Sequence, residues 1–143
     1  MYRKILVALD TTASDRELLP HIVQLATLTR SELLLLHVAD GWAARNFDQL
    51  SLAESEEMKE DLKYLEETAA HLRAESGLHI ETRLALGNPP AQILQVAAEA
   101  QCDLIALASH GHRLVGDIIH GSTIDAVRHK ARMPILVVPP PRS

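Results

Sequence analysis

The feature of this sequence that most restricts its fold is a series of short apolar runs that do not alternate with polar residues. Each is separated from the next by enough chain for a helix. Ile5 to Leu9, Leu33 to Val38 and Leu104 to Ala108 are three such runs, and Ile135 to Val138 is a fourth. A strand with one wet face alternates, whereas a strand covered on both faces does not, so these runs predict strands of a parallel sheet held between two layers. Ile80 to Leu86 alternates in part, with Ile80, Leu84 and Leu86 apolar and Glu81 and Arg83 polar. It predicts a fifth, less buried strand nearer an edge.

The intervening segments have helical periodicity. Ser14-Asp15-Arg16-Glu17 has capping-box spacing, and Leu18, Leu19, Ile22, Leu25 and Ala26 form one stripe, which predicts a helix over 14–29. Met58, Leu62, Leu65, Ala69 and Leu72 recur at spacings of four and three until Gly77 ends the longest helix. Asn88 is the expected N-cap of a third, with Pro89 in its first turn and Ile93, Val96, Ala97 and Ala100 on one side. A fourth runs from Gly121 to Ala131, with Ile124, Val127 and Ala131 on one face and Pro134 blocking continuation.

The order β-α-β-α-β-α-β-α-β gives an α/β class. The expected architecture is an open, doubly wound, five-stranded parallel sheet of the Rossmann-like kind, order 3-2-1-4-5, with helices on both faces. At 143 residues, 47% of them hydrophobic, the chain is sized for a single domain over 1–143 with one substantial core. Ligands of such sheets bind beyond the carboxyl ends of the strands where the winding reverses, which here means after strands 1 and 4.

Composition narrows the function classes. A net charge of -5 without a Lys/Arg block repels phosphate backbones, so nucleic acid is not an expected partner. One cysteine, Cys102, cannot form an internal disulfide, and after Met1-Tyr2-Arg3-Lys4 the apolar run before Asp10 is only five residues long, too short for a signal peptide's apolar region or a membrane span. A cytoplasmic protein without membrane attachment is expected.

After strand 4 a segment with three glycines, Ser109-His110-Gly111-His112-Arg113-Leu114-Val115-Gly116-Asp117-Ile118-Ile119-His120-Gly121-Ser122-Thr123, opens into the fourth helix. Glycines let backbone amides approach an anion, and Gly121, Ser122 and Thr123 stand where a helix N-terminus offers unpaired N–H groups and a favourable dipole. The hydroxyls of Ser109, Ser122 and Thr123 add donors. The same residues also suit an ordinary loop in which Ser122 or Thr123 only caps the helix.

Ser109-His110-Gly111, then nine residues, then Gly121-Ser122 resembles the nucleotide motif of the universal stress protein family, Gly-x-x-Gly-x9-Gly-Ser/Thr. Ala108 stands where the first glycine belongs. The resemblance extends along the chain: Ile5 to Asp10 is similar to the family's opening strand and its acidic end, and Leu36-His37-Val38 to the end of strand 2. Gly87-Asn88-Pro89 and Pro134 to Val138 match later landmarks. It implies a stress-response regulator or sensor that binds an adenine nucleotide, ATP being the expected ligand and AMP or ADP the alternatives. Mg²⁺ or Mn²⁺ would be carried by the nucleotide phosphates.

Transferred position by position, the resemblance places Asp10 near the base or ribose and Val38 against adenine. Gly111, Gly121, Ser122 and Thr123 match the ribose and phosphate contacts, with Ala108 and Ser109 beside them and Ala8 and Thr11 flanking the end of strand 1. Asp10 equally suits a turn before Thr11-Thr12, and Val38 equally suits core packing. Arg113 could reach phosphate oxygens with its forked donors or stand solvated. His110, His112 and His120 lack the accompanying Cys or carboxylate spacing of a metal site. Trp42 and Phe47 follow strand 2 and suit either a lid over the base or an anchor for their loop.

No Walker sequence and no lysine in the long loop support an NTPase, and no base and charge clamp can be picked out together, so no catalytic residue is assigned. Slow ATP hydrolysis and a nucleotide-free homodimeric interaction scaffold are the alternatives. The family resemblance implies a homodimer through antiparallel pairing of Ile135 to Val138, ended by Pro139-Pro140-Pro141, and a further protein partner to which ligand state is signalled.

Overall fold

The computed structural model describes residues 1–40, 52–109 and 121–139. Nine elements alternate along the chain: β1 (Lys4–Leu9), α1 (Asp15–Thr29), β2 (Glu32–Asp40), α2 (Leu52–Ser76), β3 (Ile80–Gly87), α3 (Pro89–Glu99), β4 (Leu104–Ala108), α4 (Gly121–Lys130) and β5 (Ile135–Val138). The five strands form one parallel sheet in the order β3-β2-β1-β4-β5, as expected.

The unbroken runs have a direct cause in the layering. Successive side chains of a strand point to opposite faces, and here both faces are covered. Ile5, Val7 and Leu9 of β1, Leu33 and Leu35 of β2, and Leu104 and Ala106 of β4 pack with Leu18, Ile22 and Ala26 of α1 and Leu65 and Ala69 of α2. The alternate residues Leu6, Ala8, Leu34, Leu36, Ile105 and Leu107 pack with Ile93, Val96 and Ala97 of α3 and Val127 of α4. The strands with two neighbours read as continuous apolar sequence, while the edge strand β3 is mostly half-buried beyond Ile80; the other edge, β5, is apolar throughout yet at most half-buried, so its unbroken run does not mean cover on both faces.

The helices follow their stripes with three differences. Asn88 caps α3 as expected, its Oδ1 accepting from Ala91 N at 3.2 Å, and Gly77 follows α2 with a left-handed φ of 73°. The α2 stripe is buried from Leu65 onward, where it lies over the sheet; Leu62 is 40% exposed. Helix α1 runs through Pro20 near its start, although proline lacks an N–H for the ladder. The capping box at its head does not form. Ser14 has helical backbone angles and makes no side-chain cap, because its hydroxyl turns back to Asp10 Oδ2 at 3.2 Å and lies 2.6 Å from Thr12 Oγ1. Among the described residues no helix is long and apolar enough to cross a membrane.

Candidate functional site

The strand order creates the reversal point between β1 and β4. From β1 the chain winds outward through β2 and β3, then returns to the other side of β1 and continues to β5. Ala8 lies opposite Leu107 and Leu9 opposite His37, so the carboxyl ends of β1, β2 and β4 are neighbours. Asp10, Val38, Ala108 and Ser109 all lie at or just past these ends, and α4 begins at Gly121 after β4.

The turn after β1 is tightly self-bonded. Asp10 is 6% exposed; its Oδ1 accepts from Thr12 N at 2.9 Å and from Thr12 Oγ1 at 2.6 Å. This is the Asx turn expected of an aspartate here, and the second carboxylate oxygen, Oδ2, accepts from Ser14 Oγ at 3.2 Å. Thr11 has a φ of 63°, an uncommon conformation for a β-branched residue, and its hydroxyl donates to the Asp10 carbonyl at 2.6 Å.

Asp15, the first residue of α1, underlies this turn and was not picked out by sequence reasoning. It is 1% exposed. Its Oδ1 accepts from Asp10 N at 3.1 Å, and its Oδ2 accepts from Thr11 N at 3.0 Å and from the Tyr64 hydroxyl at 2.7 Å. Burial, strengthened by the neighbouring Asp10 carboxylate, pushes the Asp15 carboxyl from its ordinary 3.8 up to about 7, against the opposing Tyr64 hydrogen bond. Burial and the Asp15 contact raise the Tyr64 hydroxyl in turn. Tyr64 also lines a groove of about 710 Å³ between α1 and α2, with Leu19, Pro20, Val23 and Leu72. That groove runs along α1 and α2.

His37 is a second polar residue without an assigned role in the sequence. It is 2% exposed, its Nδ1 donates to the Leu9 carbonyl at 2.9 Å, and its Nε2 lies 3.4 Å from Asp61 Oδ2. It ties the ends of β1 and β2 to α2. A lone histidine inside an apolar run needs such partners, and that requirement was the available signal.

The remaining assigned residues divide plainly. Ala8 and Val38 are buried and pack in the core shared with α3 and α4. Ala108 is a buried strand residue opposite Val138, and Ser109 N donates to the Val138 carbonyl at 2.9 Å. Thr123 is 4% exposed in the first turn of α4, where Gly121 and Ser122 precede it. Gly111, Arg113, His110, His112, His120, Trp42 and Phe47 lie outside the described residues.

Cys102 sits between α3 and β4, and burial pushes its thiol up to about 11, which disfavours the nucleophilic thiolate. Glu32, His79 and Glu81, the metal-ligand types that approach one another among the described residues, are exposed at the opposite, amino end of the sheet.

Comparison with known proteins gives a consistent result. The model of the universal stress protein family matches residues 1–139. A universal stress protein of Methanocaldococcus jannaschii is 29% identical over 154 residues, covering 96% of this chain and 95% of that protein. Its solved structure superposes with a TM-score of 0.76 at 26% identity, over 100% of this chain and 99% of that one. Two further solved structures share the fold. One is a universal stress protein in complex with cAMP (TM-score 0.68, 18% identity, 96% of each chain). The other is the Archaeoglobus fulgidus universal stress protein in complex with dAMP (TM-score 0.71, 21% identity, 96% and 98%).

Proposed function

The chain belongs to the universal stress protein family, and from that premise we propose that it binds an adenine nucleotide, ATP in the first place, at the carboxyl ends of β1 and β4. The observation that carries this reading is the reversal of winding between those strands, which brings Asp10, Ala108 and Ser109 together ahead of the start of α4. The cAMP and dAMP complexes of relatives with this fold support the ligand class.

The residues present fit such a ligand. Asp10 supplies a carboxylate acceptor for a sugar hydroxyl or exocyclic amine, and the first turn of α4, with Gly121, Ser122 and Thr123, supplies the dipole and N–H groups that favour phosphate. Ala8, Thr11 and Val38 form the surroundings on the β1 and β2 side, and Gly111 and Arg113, outside the described residues, are assigned to the phosphate by their place in the sequence. Ala108 replaces the first motif glycine and adds one methyl group, a variant compatible with binding in the ATP-binding subgroup. Any Mg²⁺ or Mn²⁺ arrives with the phosphates.

The protein then works as a stress-response regulator within one domain, passing nucleotide state to a protein partner. It acts as a homodimer through antiparallel pairing of Ile135–Val138. The support for this interface is that β5 is an edge strand with Val137 37% exposed.

Isothermal titration with ATP, ADP, AMP and cAMP in the presence of Mg²⁺, repeated on Gly121→Asp, tests the reading. An aspartate in the first turn suits the helix but repels phosphate, so the variant folds and its ATP affinity falls at least tenfold. Binding of AMP or cAMP alone would revise the phosphate contacts. Binding of none would leave the nucleotide-free dimer scaffold.

A further inference from the structure

We infer that Asp15, backed by Tyr64, is a positioning residue for the switch-point site: it holds the Asp10–Thr11 turn in one conformation and thereby sets the carboxylate of Asp10 for the ligand. The inference rests on the reading of this point as the nucleotide site.

Three independent features of the turn carry it. The Asp15 carboxylate takes the two consecutive backbone N–H groups of Asp10 and Thr11, one on each oxygen. Thr11 holds a φ of 63°, which a β-branched residue keeps only where its surroundings impose it, and such outliers gather at ligand sites. Tyr64 reaches from α2 to the oxygen that also serves Thr11 N, so a second helix braces the turn. A helix-capping role does not explain this arrangement, because Asp15 points its acceptors back to the strand end and not to the N–H groups of α1.

The charged form is the one that fits three donors. A neutral carboxyl has one good acceptor oxygen and an O–H, which would meet an N–H donor head-on. Among the described residues the titratable groups facing Asp15 are Asp10 in the turn and Tyr64 on α2. The strands under α1 contribute apolar residues, Leu9, Ala106 and Ala108. With its midpoint near 7, the clamp changes hold across the neutral range.

The test combines a measurement on the free protein with one on the complex. In ¹⁵N-labelled protein titrated from pH 5.5 to 8.5, the Asp10 and Thr11 amides move together with a midpoint near 7; in Asp15→Asn the movement disappears. In Tyr64→Phe the midpoint rises, because the charged form loses a donor. Affinity for cAMP, whose phosphodiester does not ionise in this range, increases about fivefold from pH 6 to 8 in the wild type and stays flat in Asp15→Asn, a coupling of ordinary allosteric size. At pH 8 Asp15→Asn binds cAMP and ATP about tenfold more weakly.

Unchanged Asp10 and Thr11 amide shifts together with wild-type affinity in Asp15→Asn would overturn the positioning role while leaving nucleotide binding intact. Wild-type protein that binds no adenine nucleotide overturns the functional reading and with it the role toward a ligand, even where the amides show that the clamp exists.

Discussion

Replacing Asp15 by asparagine should change how stability depends on pH, and the size of the change follows from the burial of that side chain. In the unfolded chain the carboxyl titrates at its ordinary 3.8; in the fold it titrates at about 7. Between those values the folded protein binds more protons than the unfolded one, so stability falls as pH rises and levels off above 7. Relative to the fully protonated state, one such group subtracts about 2 kcal/mol at pH 5 and about 4 kcal/mol at pH 7 and above.

Asparagine has nearly the same shape and no charge, so it removes this dependence and leaves the rest of the molecule's titration in place. The comparison therefore lies in the difference between the two proteins. Urea unfolding at pH 5, 6, 7 and 8 gives a wild-type stability that drops against Asp15→Asn by about 2 kcal/mol from pH 5 to pH 7 and by a few tenths from pH 7 to 8. For a chain of this size the first interval corresponds to about 6 °C in relative Tm. Parallel curves across pH 5 to 8, or a wild type that gains on the variant with rising pH, would refute the assignment of a raised carboxyl at this position. The same unfolding curves give the folded fraction of Asp15→Asn at each pH, which separates weakened nucleotide binding from unfolding.

Two further perturbations test the frame around the site. His37→Phe leaves the Leu9 carbonyl without its buried donor and Asp61 without its neighbour, and should cost about 2 kcal/mol in urea unfolding. Gly87→Ala places a Cβ 3.3 Å from Gln92 Nε2 on a backbone with φ of 137°, so it should lower stability by about 1–2 kcal/mol, measured by the shift in unfolding midpoint.

The fold was legible because its main feature is two-sided burial. Continuous runs such as Ile5–Leu9 and Leu104–Ala108 are continuous because helices cover both faces, and the partial alternation of Ile80–Leu86 marks β3 as the edge that the sheet order makes it. The winding reversal of such a sheet then implies that Asp10 and Ala108–Ser109 share one end, where the β1–β4 register puts them.

The site's internal wiring was not legible, for a physical reason. Periodicity reports which positions are apolar, but it cannot say which polar residue a buried turn will recruit. Ser14-x-x-Glu17 has capping-box spacing, yet in the folded chain the Ser14 hydroxyl is drawn into the Asp10 and Thr12 cluster, a competition between local hydrogen bonds that spacing does not rank. Asp15 reads as one more acidic residue in a first helical turn. Its partner Tyr64 is 49 positions away, and only the packing of α2 beside α1 brings the two together.

His37 shows the same limit from the other side. It sits inside an apolar run, where a polar group must be paired, but its partners, the carbonyl ending β1 and Asp61 of α2, are set by register and helix placement. In both cases α2 is the source of the distant partner. The second helix therefore does more than cover the sheet: through Tyr64 and Asp61 it fixes the ends of β1 and β2, and a change in its position would be felt first at the turn that carries Asp10.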